Sequence, residues 1–249
     1  MKNSIFGFLI FLWFSNTFSQ IKSGEKLVYV GSYNMSGLMT QLAQITLATN
    51  TVTTSKNAYL HLSCQLETYS KWDKFFKMRD LYESYVNPTT LMPSLYKRSI
   101  DEGGWKKTEK YVIKGTTVNS TSATKKWGEK QTTFSIGSTT QDVVSLLYKV
   151  RTLDFSKMSL GQTKSFVIVF DEVQVPVQLK FMGTETVNAG NLGVKLCYKM
   201  AIDAKTKVLK GKDKNLIWLT ADNNKLPALM RFSIPVGTGQ LTLTSASGI

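Results

Sequence analysis

The chain has 249 residues, 42% hydrophobic and 19% charged, which excludes extended disorder and allows a buried core without disulfide or metal staples. Lys and Arg number 31 against 17 Asp and Glu, a formal charge of +14 that favours anionic partners such as lipid headgroups or acidic glycans. One histidine and two cysteines exclude most designs built on histidine pairs or on zinc.

The chain opens on Met1-Lys2-Asn3, an apolar run over residues 5–14, and small polar residues ending at Ser19-Gln20. That order predicts a secretory signal peptide over 1–19, cleaved before Gln20. Ten apolar residues are too few to span a bilayer, which needs about 20. Position 20 is Gln rather than Cys, so no thiol stands there to receive a lipid. The expected product is exported, periplasmic or envelope-bound, with no transmembrane anchor after cleavage, and nucleic acid is the least apt of its anionic partners. The remaining residues, 20–249, carry no repeat, heptad or low-complexity linker and are expected to form a single mainly-β domain.

Strand patterns dominate. Residues 26–33 alternate around Leu27 and Tyr29, and 59–68 place Leu60, Leu62, Cys64 and Leu66 opposite His61 and its neighbours. Trp72, Phe75, Phe76 and Arg79 suit a short helix or a strand. Gly103-Gly104 marks a turn between 95–100 and 105–113, and the Thr, Ser and Lys of 114–131 predict an exposed hairpin or loop. Val143, Leu146, Leu147 and Val150 recur at helical spacing over 142–151, with Thr139 or Thr140 to cap and Asp142 in the first turn. Residues 166–170 and 175–181 flank Asp171-Glu-Val-Gln174, a hairpin connection in which Pro176 marks an edge strand or a strand beginning. Residues 193–202, 216–220, 226–234 and 240–244 continue the pattern. The fold class is therefore mainly β: an antiparallel curved sheet, barrel-like or a sandwich, with one or two short helices.

No motif supplies catalysis. His61 sits mid-strand with no nucleophile elbow in the chain, and reads as a solvated or satisfied strand histidine. Asp222-Asn223-Asn224 lacks the spacing and final Glu of a calcium loop and has the composition of a hairpin turn. Gly237-Thr-Gly239 has neither a third glycine nor a phosphate-loop lysine and reads as a turn or bulge. Asp73, Asp80, Glu83 and Asp101 are available, but nothing pairs two of them. No metal or organic cofactor is implied. Cys64 and Cys197 either form a disulfide in an oxidising compartment or remain two buried thiols; spacing does not decide.

Two features point to binding. Lys195, Lys199, Lys205, Lys207, Lys210, Lys212 and Lys214, relieved by Asp203 and Asp213, form a basic hairpin. It would touch headgroups or acidic glycans, or guard a strand edge. Trp72, Phe75, Phe76, Tyr82, Tyr85, Trp105 and Trp218 would line an apolar cavity or fill the core.

Several blocks carry a resemblance to a known family. They are Gly24-Glu-Lys-Leu-Val-Tyr29, Tyr82-Glu-Ser-Tyr-Val86 with Thr90-Leu-Met-Pro93, Asp142-Val-Val-Ser-Leu-Leu-Tyr148-Lys-Val-Arg151, Gly183-Thr-Glu185, Gly193-Val-Lys-Leu-Cys197, and Ile217-Trp-Leu-Thr-Ala-Asp222 through Leu226-Pro227 to Gly239. Together they resemble the domain-of-unknown-function 3108 family of exported Gram-negative proteins. The resemblance implies an antiparallel β fold with a mid-chain helix, and no reaction. It singles out Arg151, Trp218 and Asp222, which with Arg231 are the candidate ligand-binding residues. The alternative is structural, since an Arg ending a helix caps carbonyls and an Asp in a turn holds backbone N–H groups. The expected function is non-catalytic binding of an envelope lipid or anionic glycan. The alternatives are an interaction module docking to an envelope complex through a strand edge, and a cell-wall polymer hydrolase.

Overall fold

The computed structural model describes residues 21–35, 37–204, 215–234 and 237–249. The signal-peptide segment lies outside the described residues, as do Lys205, Lys207, Lys210, Lys212, Lys214 and Asp213 of the basic hairpin.

Eight strands run first as a meander: β1 (Lys26–Met35), β2 (Leu38–Thr53), β3 (Ala58–Thr68), β4 (Arg79–Val86), β5 (Pro93–Glu102), β6 (Trp105–Lys114), β7 (Thr117–Thr124) and β8 (Gly128–Ser135). Helix α1 (Val143–Arg151) follows. Six more strands then meander: β9 (Thr163–Phe170), β10 (Val173–Asn188), β11 (Val194–Ala204), β12 (Asn215–Thr220), β13 (Pro227–Ile234) and β14 (Gly237–Ser247). Strand β14 returns to pair with β1, so all fourteen form one antiparallel sheet with β8 and β9 at its edges. Bulges at Val28/Tyr29, Gly31/Ser32 and Phe181/Thr184 add the local twist that curls the sheet. The sheet is barrel-like without closing.

Most expected elements are present. Residues 114–131 form the β7–β8 hairpin, and the Trp72 segment resolves into a 3-10 turn (Ser70–Trp72), a loop and the start of β4. Strand β2 had no counterpart in the sequence pattern. Ala43, Ile45, Leu47 and Thr49 are buried, and the polar Thr49 on that face with the apolar Ala48 on the other break the alternation. Pro176 lies on β10, opposite Val167 of the edge strand β9, whose carbonyl accepts from Gln141 instead.

Helix α1 fills the concavity. Val144 and Tyr148 pack with Leu60, Leu62, Tyr96 and Tyr111 of the first half, while Val150 packs with Leu179, Met200 and Leu219 of the second. Its N-cap is Asp142 rather than Thr139 or Thr140. The Asp142 carboxylate accepts from the N–H groups of Val144 and Ser145, and the Ser145 hydroxyl accepts from the Asp142 N–H in return. Just before the helix, Gln141 pairs with β9 in parallel, N–H to Val167 and carbonyl from Val169. That ties the helix start to one open edge.

Side chains bind the two edges together. The β9–β10 turn is two residues, Asp171 and Glu172, both at positive φ (50° and 62°), where hairpins prefer Asn or Gly. Asp171 holds Arg98 of β5 and Lys107 of β6 (2.8 Å), and Glu172 holds Ser120 of β7 (2.8 Å) and Lys130 of β8 (2.9 Å). The Glu172 N–H also donates to the Tyr111 hydroxyl (2.8 Å). Backbone strain at two acidic residues is thus over-determined by contacts that glycine could not make. Burial raises the Asp171 carboxyl, but Lys107 and Arg98 outweigh it and hold the group below the usual carboxylate range.

Asp142 shows the opposite balance. Burial pushes its carboxyl up to about 6 against the pull of Ser145, Ser84 and Val144. Its folded pKa lies above the unfolded value of about 3.9, so its contribution to stability is complete below pH about 4 and is lost as pH rises through about 6. Asp142→Asn keeps the capping acceptor and stays neutral. The variant is expected to gain on the order of 3 kcal/mol relative to the parent between pH 4 and pH 7. Urea unfolding at pH 4, 5.5 and 7 checks this; parallel pH profiles would refute it.

Candidate functional site

Antiparallel pairing sends the tips of β1–β2, β3–β4, β5–β6, β7–β8, β9–β10 and β13–β14 to one end of the curled sheet. At that end, where α1 does not reach, an apolar groove of about 660 Å³ opens between β3, β2, β1 and β14. Gly31, Ala43, Ile45, Leu66 and Leu241 line its strands; Trp72, Phe75 and Phe76 of the β3–β4 loop and Phe232 of β13 complete it. Two strand glycines let neighbouring side chains lie close in the groove wall. A Cβ on Gly31 would meet Ile45 Cδ1 at 2.8 Å, and one on Gly239 would collide with the Phe232 ring, which lies across it.

The aromatic loop is fixed rather than draped. Trp72 Nε1 donates to the Gln41 carbonyl (2.9 Å), and Tyr69 N–H to that of Leu42 (2.9 Å). Arg79 clamps Asp73 through both guanidinium nitrogens (2.6 and 3.1 Å), and the Thr68 hydroxyl donates to Asp73 (2.7 Å). The Thr68 hydrogen bond and then Arg79 hold the Asp73 carboxyl below the usual range. Thr68, a polar residue of the groove wall, is therefore already occupied. The lining offers apolar surface and almost nothing that converges on a polar ligand, the composition of a site for hydrocarbon.

The four residues singled out from sequence lie elsewhere. Arg151 is buried and makes a bidentate pair with Glu25 (2.7 Å to each oxygen), while its Nε donates to the Asn224 carbonyl (3.1 Å). Burial works against its charge, but Glu25 outweighs this and holds its pKa above the ordinary value. Asp222 organises the β12–β13 turn, accepting from the Thr220 hydroxyl and the Asn224 and Lys225 N–H groups (2.9 to 3.0 Å). Trp218 is buried on the outer face, its Nε1 donating to Glu185 (3.1 Å), with Lys199 and Arg231 each 5.3 Å from its ring. Arg231 also donates to Gln240 (2.8 Å). All four serve the β12–β13 hairpin and its neighbours, not the groove. A polar cleft of about 760 Å³ borders Asp222, but its Lys157, Lys164 and Lys225 face Asp154 and Asp222, so no cationic field converges there for a glycan.

Of the aromatics singled out from sequence, Trp72, Phe75 and Phe76 line the groove. Tyr85 stacks on His61 at 4.4 Å on the outer face, and His61 Nε2 meets Glu83 at 2.9 Å, so the histidine is satisfied within the sheet. Tyr82 and Trp105 border a separate polar cleft near Asp171. Sequence reasoning passed over Gly31, Ala43 and Phe232, and read Gly239 only as part of a turn. A glycine inside an otherwise apolar strand was the available signal.

Cys64 and Cys197 are free thiols, and a bridge between them is ruled out by position. Cys64 is on β3 and Cys197 on β11, with β2, β1, β14, β13 and β12 between them in the sheet. Burial pushes each thiol up to about 12, so neither is a poised nucleophile. Asp80 and Glu102 share a hydrogen bond, and burial holds both above the usual carboxylate range. Direct contact leaves no room between them for a glycosidic carbon, which needs about 5 Å or more. Among the described residues, no three His, Cys, Asp or Glu side chains are grouped to hold a metal ion, and no helix is long and apolar enough to cross a membrane.

The family model for DUF3108, a protein of unknown function, matches residues 29–244. The chain belongs to this family. The matched span of this DUF3108 member runs from within β1 to within β14 and takes in the groove, α1 and the Trp218 contacts, while Glu25, the partner of Arg151, lies before it. No curated protein matches it. Among solved structures it is similar to a β-barrel-like protein of the domain-of-unknown-function family DUF1849 from Brucella abortus. That likeness has a TM-score of 0.57 and 8% identity, covering 90% of this chain and 97% of the other, and it shows the fold alone. A protein named as exported, with a YmcC-like fold, from Bacteroides fragilis matches at 10% identity and TM-score 0.36 over 93% and 99% of the two chains. A protein named as a lipoprotein from Parabacteroides distasonis matches at 11% and 0.36 over 93% and 98%. Neither of these two likenesses carries an argument.

Proposed function

We propose that this DUF3108 protein is an exported, non-catalytic binding protein for an acyl-chain lipid of the cell envelope, held in the groove at the open end of the sheet. The observation that carries the reading is the groove itself: about 660 Å³, apolar, and walled by an anchored aromatic loop. That volume falls in the range of about 300–1,000 Å³ typical of small-molecule sites. The signal-peptide pattern of residues 1–19 supports export. The glycan alternative has less support, because Lys199 is already engaged with Glu185 (2.8 Å) and Trp218. Docking through a strand edge has less support as well: β8 carries Glu129 and Lys130 along its exposed length, charges that discourage strand addition.

Native mass spectrometry of the mature protein purified from its own envelope tests the reading. One acyl lipid per chain, released by solvent extraction, is the expected result. A stoichiometric glycan, or a clean apo mass with no lipid, would overturn it.

A further inference from the structure

The two ends of the sheet differ in what their tips expose. The aromatic side chains that stand exposed among the described residues, Phe75, Phe76, Trp105 and Trp127, all lie at the groove end, on the β3–β4, β5–β6 and β7–β8 tips. Leu38 (74% exposed) and Met39 of the β1–β2 tip join them. The opposite tips Thr54-Ser-Lys-Asn57, Asn87-Pro-Thr-Thr90 and Asp222-Asn-Asn224 are polar, and the exposed apolar residues of that end, Leu160, Val194 and Leu196, are aliphatic. Isolated exposed apolar residues need no explanation, but their gathering on four neighbouring tips does.

Lysines interleave with these aromatics. The β3–β4 loop reads Lys71-Trp-Asp-Lys74-Phe-Phe-Lys77, with all three lysines exposed. The β7–β8 tip reads Lys125-Lys-Trp127, exposed throughout, with Lys126 Nζ 4.4 Å from the Trp127 ring. Most acids of this end are engaged, Asp73 with Arg79, Asp101 with Lys106, Asp171 with Arg98 and Lys107, and Glu172 with Lys130, which leaves the exposed Glu129 against Lys71, Lys74, Lys77, Lys125 and Lys126. The outward field is therefore positive, and it surrounds apolar rings. Aromatic rings beside ammonium groups suit the boundary of an anionic bilayer, where rings enter the interface and each nearby lysine gains on the surface potential.

We propose that the groove end of the molecule is a membrane-docking face, which seats on anionic phospholipid through the Leu38, Phe75, Trp105 and Trp127 tips. It rests on the acyl-lipid reading of the groove, whose mouth would then open onto the bilayer from which the chain is drawn. Docking is reversible and electrostatic in its first step, so it weakens with salt.

Cosedimentation with vesicles tests this. Mature protein is expected to pellet with phosphatidylglycerol vesicles and not with phosphatidylcholine vesicles, and to be released by 0.5 M salt, on the order of the concentration that shortens screening to a few ångströms. Leu38→Ser with Trp127→Ser is expected to weaken partitioning at least about tenfold. Neither residue lines the groove, so uptake of a brominated fatty acid by this variant should be unchanged, which also shows that it is folded. Failure of the parent to pellet, or parent-like pelleting by the double variant, would overturn the docking face. If fatty-acid uptake persists in either case, the binding reading stands alone. If pelleting persists without uptake, the docking face stands and the groove reading falls.

Discussion

Arg151→Met is expected to destabilise the protein by about 3–5 kcal/mol, the cost of leaving one member of a buried ion pair without the other. Glu25 is 3% exposed, and its two oxygens are met by the two terminal nitrogens of Arg151. Without them a carboxylate would be stranded beside Tyr29 and Tyr148, whose hydroxyls are buried without hydrogen-bond partners. The Asn224 carbonyl would lose its donor as well. Arg151 therefore joins three parts of the chain: the C-terminus of α1, the start of β1 and the β12–β13 turn. Glu25→Leu combined with Arg151→Met should recover much of the loss, because removing both charges leaves no stranded group. Urea unfolding of the parent, the single and the double variant measures the coupling. A single-variant loss below about 1 kcal/mol would contradict this role.

The second large effect falls on binding. Ala43 lines the groove opposite Gly31, where Ile45 packs into the room that a side chain on Gly31 would take. Ala43→Phe sends a ring into the volume assigned to the acyl chain. Excluding two or three methylenes, at about 0.8 kcal/mol each, corresponds to roughly 2 kcal/mol or about a thirtyfold loss of affinity. Ala43 is also packed with Ile45 and Leu47, so the larger ring should cost about 1–3 kcal/mol of stability as well. Thermal unfolding separates the two effects.

Much of the architecture was legible because period-two alternation survives wherever one face is buried. The run from Leu60 to Leu66, the Gly103-Gly104 turn and the helical spacing of Val143 to Val150 each led to the element observed. Strand β2 escaped because Thr49 lies on the buried face and Ala48 on the other, which breaks the alternation of apolar and polar residues. The helix cap fell two residues later than the threonines because Asp142 competes better, accepting two N–H groups while Thr140 turns to Gln174. The site was less legible. Arg151, Trp218 and Asp222 stand out in sequence because each makes contacts that hold the fold, and a recurring structural residue looks the same as a binding one. Gly31 and Ala43 face each other across the β1–β2 hairpin, but Gly239 joins them only when β14 pairs with β1. No local pattern announces that pairing. Trp72, Phe75 and Phe76 were visible as aromatics, but their placement over the groove depends on Asp73 and Arg79 holding the loop.

The central claim is that the groove holds an acyl chain, and a fluorescence titration with a mid-chain brominated fatty acid tests it most directly. Bromine quenches indoles only at short range, and Trp72 lines the groove while Trp218 is buried on the outer face. The account predicts saturable quenching at one ligand per chain, largely lost in Trp72→Phe and shifted to about thirtyfold higher ligand concentration in Ala43→Phe. Quenching that never saturates, or that is indifferent to both substitutions, would contradict it.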